Sequence, residues 1–238
     1  MSLVKALSNE KESEEGSGVS VEEKIEEEKV EGEYLLPIVN LLSAGIHIGT
    51  RIKTKDMAYF IYRVRPDGLF VLDVKKTDER IGMAAKFISR FDPKKVVAIS
   101  SRLYGRVPVQ KFCEVTGCIP ITGRFLPGLF TNSSHSDHIE AELLILTDPK
   151  ADWQAVSEAS AVGIPVIALC DTDNDFRDVD FVIPINNKGR RSLATVYWLL
   201  AREVLKARGE IFADGTLQVS LDSFETKLVE VPREPPNI

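Results

Sequence analysis

Glu142–Asp173 reads ELLILTDPKADWQAVSEASAVGIPVIALCDTD, and this stretch decides the fold. Its apolar run Leu143–Thr147 stops at Asp148-Pro149, and a second apolar run, Val166–Cys170, stops at Asp171. Between them lies an amphipathic segment. Asp152 stands where a helix needs an acceptor for its first free amides, and Gly163 where the chain must leave the helix through a left-handed residue. The order is strand, helix, strand. Neither strand alternates apolar with polar residues, so both its faces are predicted to lie under helices, the pattern of a parallel sheet.

Outward from this unit the alternation repeats. Strands are predicted at Leu69–Asp73, Val96–Ser100, Ile119–Thr122 and Asp180–Ile185. A first helix has Leu35, Val39 and Leu42 on one face and ends at Gly45. A second is opened by Thr77-Asp78-Glu79 and carries the stripe Ile81, Ala85, Ile88 and Phe91. A third has Pro108 in its first turn and ends at Gly117. The last buries Leu193, Val196, Tyr197, Leu200 and Val204. Short connections between such elements predict a three-layer α/β/α sandwich with a mainly parallel sheet and right-handed crossovers. Gly123–Asn132, with two Gly and one Pro, is a loop expected to pack against something.

The chain has 238 residues, 44% of them hydrophobic, enough for one large domain with tails. No apolar run approaches the roughly 20 residues that span a bilayer, and the N-terminus lacks a secretory pattern, so a cytoplasmic protein without a membrane partner is expected. Three Cys, an odd number, argue against a disulfide framework and agree with a reducing compartment. The net charge of −6 conceals a division into three parts. Residues 1–33 hold eleven Glu against four Lys and no aromatic, an acidic extension expected to be flexible on its own. The α/β body, 34–208, is basic, with twenty-four Lys and Arg against nineteen acids. Residues 209–238, six acids against two bases, form a tail that can lie along a neighbouring surface. A basic body with acidic ends can bind a polyanion on one face.

Arg51, Lys53, Lys55, Arg63, Arg65, Lys75 and Lys76 are interleaved with Tyr59, Phe60 and Tyr62. Cations of this kind neutralise phosphates while rings stack on unpaired bases, and the competing reading is a solvated loop with its aromatics turned inward. Lys188, Arg190 and Arg191 precede a helix whose free amides face outward, a second phosphate candidate. Parallel sheets bind ligands outside the carboxyl ends of their strands, which here present Asp73, Ser101, Arg124, Asp148 and Asp171. An enzyme would have to be built there, for instance on Asp148 and Asp171. The sequence has no G-x-G-x-x-G, no G-x-x-x-x-G-K-[ST] and no G-x-S-x-G, so no cofactor or small-molecule substrate is called for. Cys113 and Cys118 with His135 and His138 have a superficial zinc spacing. Cys113 shares a helical face with Val109 and Phe112, however, and reads better as a small core residue, so no metal is expected.

One set of motifs recurs in a single order. It comprises Gly45-Ile46-His47-Ile48-Gly49-Thr50, Asp67-Gly68, Leu72–Thr77, Gly123-Arg124-Phe125 with Pro127-Gly128 and Phe130-Thr131-Asn132, Thr147-Asp148-Pro149 with Ala151-Asp152, Glu158-Ala159, Ile164-Pro165, Asp171-Thr172-Asp173, and Asn186-Asn187-Lys188-Gly189. Together, from about Tyr34 to Ile211, they resemble ribosomal protein S2 of the small subunit. The late Ala201–Leu205 is similar to its archaeal and eukaryotic branch, and the absence of a bacterial helical insertion and of an animal-type tail makes the archaeal type the better match. The resemblance implies a flavodoxin-like (Rossmann-like) topology, no catalysis, and a place near the head–body junction in contact with ribosomal RNA and neighbouring ribosomal proteins. Charge and loop placement then nominate Arg51, Lys53, Lys55, Arg63, Arg65, Lys75, Lys76, Arg102, Arg106, Arg124, Lys188, Arg190 and Arg191 as RNA contacts. The competing classes are a small-molecule enzyme of similar topology and an RNA-binding adaptor that never joins a ribosome.

Overall fold

The computed structural model describes residues 34–211, 215 and 217–227. In chain order it contains α1 (Ile38–Ser43), β1 (Ile61–Val64), β2 (Phe70–Leu72), α2 (Val74–Ile88), β3 (Val96–Ser100), α3 (Leu103–Thr116) and β4 (Ile119–Thr122). Then come β5 (Leu143–Leu146), α4 (Trp153–Val162), β6 (Val166–Cys170), β7 (Phe181–Pro184), α5 (Arg190–Arg208) and α6 (Leu221–Phe224). β4-β3-β5-β6-β7 form one sheet, every neighbouring pair parallel. This is the flavodoxin-like order, with its switch point between β3 and β5.

The continuous apolar runs of β3, β5 and β6 are buried throughout. Because successive side chains point to opposite faces, each strand divides its residues between two cores. Val96, Ala98, Leu143, Ile145, Ile167 and Leu169 pack with α2, α3 and α5. Val97, Ile99, Leu144, Leu146, Val166 and Ala168 pack the other way. That second face has one helix, α4. Phe125, Leu129 and Phe130 of the Gly123–Asn132 loop, with Met57 and Phe60, complete its cover. Glu158 of α4 fixes the loop, accepting hydrogen bonds from Gly128 N at 2.8 Å, Phe130 N at 3.4 Å and Thr131 Oγ1 at 3.3 Å. Burial pushes this carboxyl up, but these donors and Gln154 Nε2 outweigh it and hold the group below the usual carboxylate range.

Several local expectations are corrected. The strand expected at Leu69–Asp73 does not join the sheet; β2 pairs antiparallel with β1 in a hairpin. α2 begins at Val74, capped by Asp73 Oδ1 accepting from Lys75 N at 3.1 Å. Asp78, expected to serve the helix dipole, is buried and accepts Leu35 N–H at 3.1 Å instead. α1 buries Leu41 and leaves Val39 and Leu42 exposed. Asp152 occupies the cap position of α4, but its carboxylate accepts from Ser101 N at 3.3 Å rather than from its own helix.

Pro108 lies inside α3 rather than in its first turn, so the Tyr104 carbonyl four residues earlier loses its helical donor. Thr226 Oγ1 supplies one at 3.2 Å. Residues 217–227, expected as a tail, lie against α3 and α5 of the same chain: Phe224 is fully buried, and Trp198 Nε1 donates to Val219 O at 2.9 Å. The acidic extension, residues 1–33, lies outside the described residues.

Candidate nucleic-acid interface

The loops that follow the sheet strands at their carboxyl ends are tied together by polar side chains. Asp148, 1% exposed, accepts Arg102 Nε at 2.6 Å, Asn174 Nδ2 at 2.9 Å and Lys150 N at 2.9 Å. Asn174 Oδ1 accepts Asp171 N at 2.8 Å and Asn187 Nδ2 at 3.1 Å. Lys188 Nζ reaches Asp173 at 2.7 Å and Asp171 at 3.3 Å. At the switch point, where a ligand would enter, Thr147 Oγ1 bonds Tyr197 OH at 2.8 Å. A Cβ on Gly105 would come within 2.2 Å of Ser100 Oγ. The crevice is therefore occupied by the chain's own side chains. Asp148 and Asp171 are consumed by this lattice and do not form a catalytic pair.

The segment Gly45–Asp56 crosses these same loops. Gly49 N donates to Phe70 O at 3.0 Å, Leu72 N to His47 O at 2.8 Å, Thr50 N to Thr172 Oγ1 at 2.9 Å and Thr54 Oγ1 to Asn174 O at 2.6 Å. Gly49 is required by close approach, since a Cβ there would meet Thr172 Cγ2 at 2.5 Å and Phe70 O at 2.9 Å. Beside this strap stands the hairpin, turned at Arg65–Gly68 by a Gly68 N–H to Arg65 O bond of 2.9 Å, with Gly68 at φ +79°. Pinned strap and hairpin together make a rim that carries Arg51, Lys53, Lys55, Arg63 and Arg65 outward.

The sequence profile of the family described as Ribosomal protein S2 matches residues 41–141 and 136–207. A small ribosomal subunit protein uS2 of Thermofilum pendens is 56% identical over 200 residues, 84% of this chain and 94% of that protein. The uS2 protein of Staphylothermus marinus is 54% identical over 195 residues, covering 82% and 89%. That of Pyrobaculum islandicum is 51% identical over 205 residues, covering 85% and 99%. The chain belongs to the ribosomal protein S2 family. Its relatives are structural ribosomal proteins of archaea, not enzymes. The motifs quoted above for the resemblance are largely the ones that build the lattice and the strap just described.

The thirteen nominated cations of this S2-family chain separate into two groups. Arg51, Lys55, Arg63, Arg106 and Arg124 are exposed and have no acidic partner among the described residues. Arg65 is also exposed and lies 3.9 Å from Asp67, while Lys53 lies over the Phe70 ring at 5.4 Å. The second group is engaged within the fold. Arg102 and Lys188 belong to the lattice. Lys76 donates to Tyr59 O at 2.6 Å, and its Nζ stands 3.8 Å from the Tyr59 ring centre. Arg190 and Arg191 face Glu225 at 2.7 and 3.8 Å. Lys75, exposed in the first turn of α2, stands beside the hairpin. The cations thus concentrate on the strap and the hairpin, with Arg106 and Arg124 flanking the edge strand β4.

Cys113 and Cys118 lie in the core beneath α3, where burial raises both thiols above the ordinary range. His138 Nδ1 is 3.0 Å from Leu129 O, and His135 Nδ1 accepts Asp137 N at 3.1 Å, so the four do not converge. No helix among the described residues is long and apolar enough to cross a membrane. Sequence reasoning passed over Tyr34, which lines the groove beside the hairpin with His47, read from the sequence as a structural hydrogen-bonding residue, and it passed over the hairpin itself. Pro66-Asp67-Gly68 between two apolar runs was the signal for the latter.

Proposed function

We propose that this chain is a structural constituent of the small ribosomal subunit in the cytoplasm, supporting translation and subunit assembly. It binds ribosomal RNA and neighbouring ribosomal proteins near the junction of head and body. The observation that carries this reading is the rim: exposed cations, of which Arg51, Lys55 and Arg63 have no acidic partner among the described residues, carried by the hairpin and by a strap anchored to the loop that follows β6. Such a surface meets backbone phosphates by charge and shape without reading sequence. Arg106 and Arg124 extend the contact toward β4. Lys188, Arg190 and Arg191 would join only by exchanging their present carboxylates for phosphates. The acidic ends, 1–33 and 209–238, suit basic neighbours on the particle.

A sucrose-gradient separation of cell extract, probed for this chain, tests the assignment. Co-sedimentation with small subunits is expected, and recovery only in the slow fractions would overturn it. Crosslinks from the rim to RNA at the head–body junction are expected on isolated subunits. Crosslinks confined to other regions would remove the placement.

A further inference from the structure

Beside the hairpin the rim opens into a groove of about 650 Å³ whose base is the buried pair Val71 and Leu72. Three features of it bear on what it can hold. Tyr62, on β1, projects its ring at 71% exposure and makes no ring contact among the described residues. Arg63 and Lys75 line the same groove. Its one acid, Asp73, is already used, by Lys75 N at 3.1 Å and by Lys76 Nζ at 3.9 Å. His47 Nδ1 is hidden from water and has no hydrogen-bond partner among the described residues. Burial first, then the charges of Arg65 and Arg63, keep its imidazole pKa below the ordinary value and favour the neutral ring.

A ligand that used all three would be planar, would carry hydrogen-bonding groups on one edge and would bear a negative charge beside the plane. We propose that the groove seats one unpaired nucleotide of RNA, its base stacked on Tyr62 and its phosphate held by Arg63 and Lys75. The His47 ring, which also lines the groove, then lies at the edge of the base. The inference rests on the RNA-binding reading given above and narrows it from a backbone contact to a base-stacking one. Charge discriminates this groove from the other cleft with an exposed ring. There Trp153, 65% exposed, borders about 540 Å³ lined by Asp173, Asp175 and Asp178 against Lys150 and Arg177, so acids outnumber cations, whereas Arg63 and Lys75 outnumber Asp73 here.

The purified full-length chain is titrated with a fluorescent single-stranded oligoadenylate and with a duplex of equal phosphate number. Stacking on one ring is worth roughly a 5- to 100-fold change in affinity. Tyr62→Ala should lower single-strand affinity by that factor and leave duplex affinity within about 2-fold. Tyr62→Trp should restore it, Arg63→Ala should weaken both ligands, and Trp153→Ala should change neither. Tyr62 is exposed, so its loss leaves the fold standing, which the unchanged duplex binding verifies. The groove proposal is overturned if Tyr62→Ala binds the single strand like wild type, or loses strand and duplex equally. On small subunits, ultraviolet crosslinking should join the Tyr62 peptide to a nucleotide, and a crosslink to a protein there would overturn it too. A wild-type chain that binds neither oligonucleotide and is absent from small subunits would instead remove the RNA reading itself.

Discussion

Replacing Arg102 by Ala separates charge that belongs to the fold from charge that belongs to RNA. The guanidinium donates to Asp148 Oδ2 from Nε at 2.6 Å; the aspartate side chain is 1% exposed and the arginine side chain 34%. Without the arginine, the carboxylate keeps Asn174 Nδ2 and Lys150 N, each at 2.9 Å. Removing one partner of a fully buried pair costs about 3–5 kcal/mol. Water entering from the open side of Arg102, and the two surviving donors, reduce this to about 2–3 kcal/mol. For a chain of this size each kcal/mol lowers the midpoint by about 2–4 °C, so Arg102→Ala should unfold about 4–12 °C below wild type. Asp148→Asn and the double variant complete a cycle in which the double is less destabilised than the sum by about 1–2 kcal/mol. Calorimetry measures these values, and filter binding across a salt series measures the other half. The slope of log affinity against log salt should be unchanged. A midpoint within about 1 °C of wild type, combined with a shallower slope, would refute the structural role and put Arg102 on a phosphate.

Replacing Arg63 and Arg65 together by Ala should leave the unfolding midpoint near wild type and make the salt slope shallower by about 1.4–1.8, two phosphate contacts' worth. Retention on small subunits should fall first at high salt, and an unchanged slope would exclude direct phosphate contact. Thr226→Val should cost about 1–2 kcal/mol in denaturant unfolding, because the Tyr104 carbonyl is left without a donor. Pro108→Ala returns a helical N–H to that carbonyl, so the double variant should lose less than the single losses summed, and strict additivity would show that the vacancy is not shared. Burial pushes the Asp78 carboxyl up to about 6, against the pull of Leu35 N–H and Arg202. The folded chain therefore holds this proton where the unfolded chain has released it. The stability it contributes is fully present below about pH 4 and lost by about pH 6, on the order of 2 kcal/mol. Asp78→Asn should flatten that part of the curve of midpoint against pH, and a step of the same size in the variant would assign it to another group.

The centre of the fold was legible because it depends on one-dimensional pattern. LLIL and VIALC are apolar without interruption, so only a doubly covered position suits them, and Gly163 at φ +84° ends α4 where expected. α1 was harder because six residues span fewer than two turns, too few for spacing to show that Leu41 rather than Val39 and Leu42 faces inward. The short β1–β2 hairpin was hidden by its charges: Arg63 and Arg65 look like loop residues until Pro66-Asp67-Gly68 is recognised as a turn. The tail 217–227 gave weak alternation, and its anchor depends on a vacancy that Pro108 creates in a distant helix. The rim shows the same limit. That Lys and Arg are dense between Arg51 and Lys76 is plain in the sequence. That Arg102 meets Asp148, 46 positions away, and that Lys188 meets Asp171 and Asp173, are consequences of the sheet order.

The division of cations follows from where each lies on the sheet. At the carboxyl ends of β5 and β6 the space is closed on both faces, and a charge there survives only with a counter-charge, which Arg102 and Lys188 find in Asp148, Asp171 and Asp173. The strap and hairpin lie outside that enclosure, so their cations remain solvated and need no partner. Crowding them still costs the free chain repulsion; burial is the main reason the His47 pKa is lowered, and the charges of Arg65 and then Arg63 lower it further. The strap withstands it because its bonds to Thr172, Asn174 and Phe70 are backbone and hydroxyl contacts, indifferent to charge. Phosphates that bind the rim relieve the repulsion and so bind the folded chain in preference to the unfolded one. The lattice that closes the ligand crevice is the same lattice that holds the strap in place, which is why one set of motifs both forfeits catalysis and fixes the cationic surface.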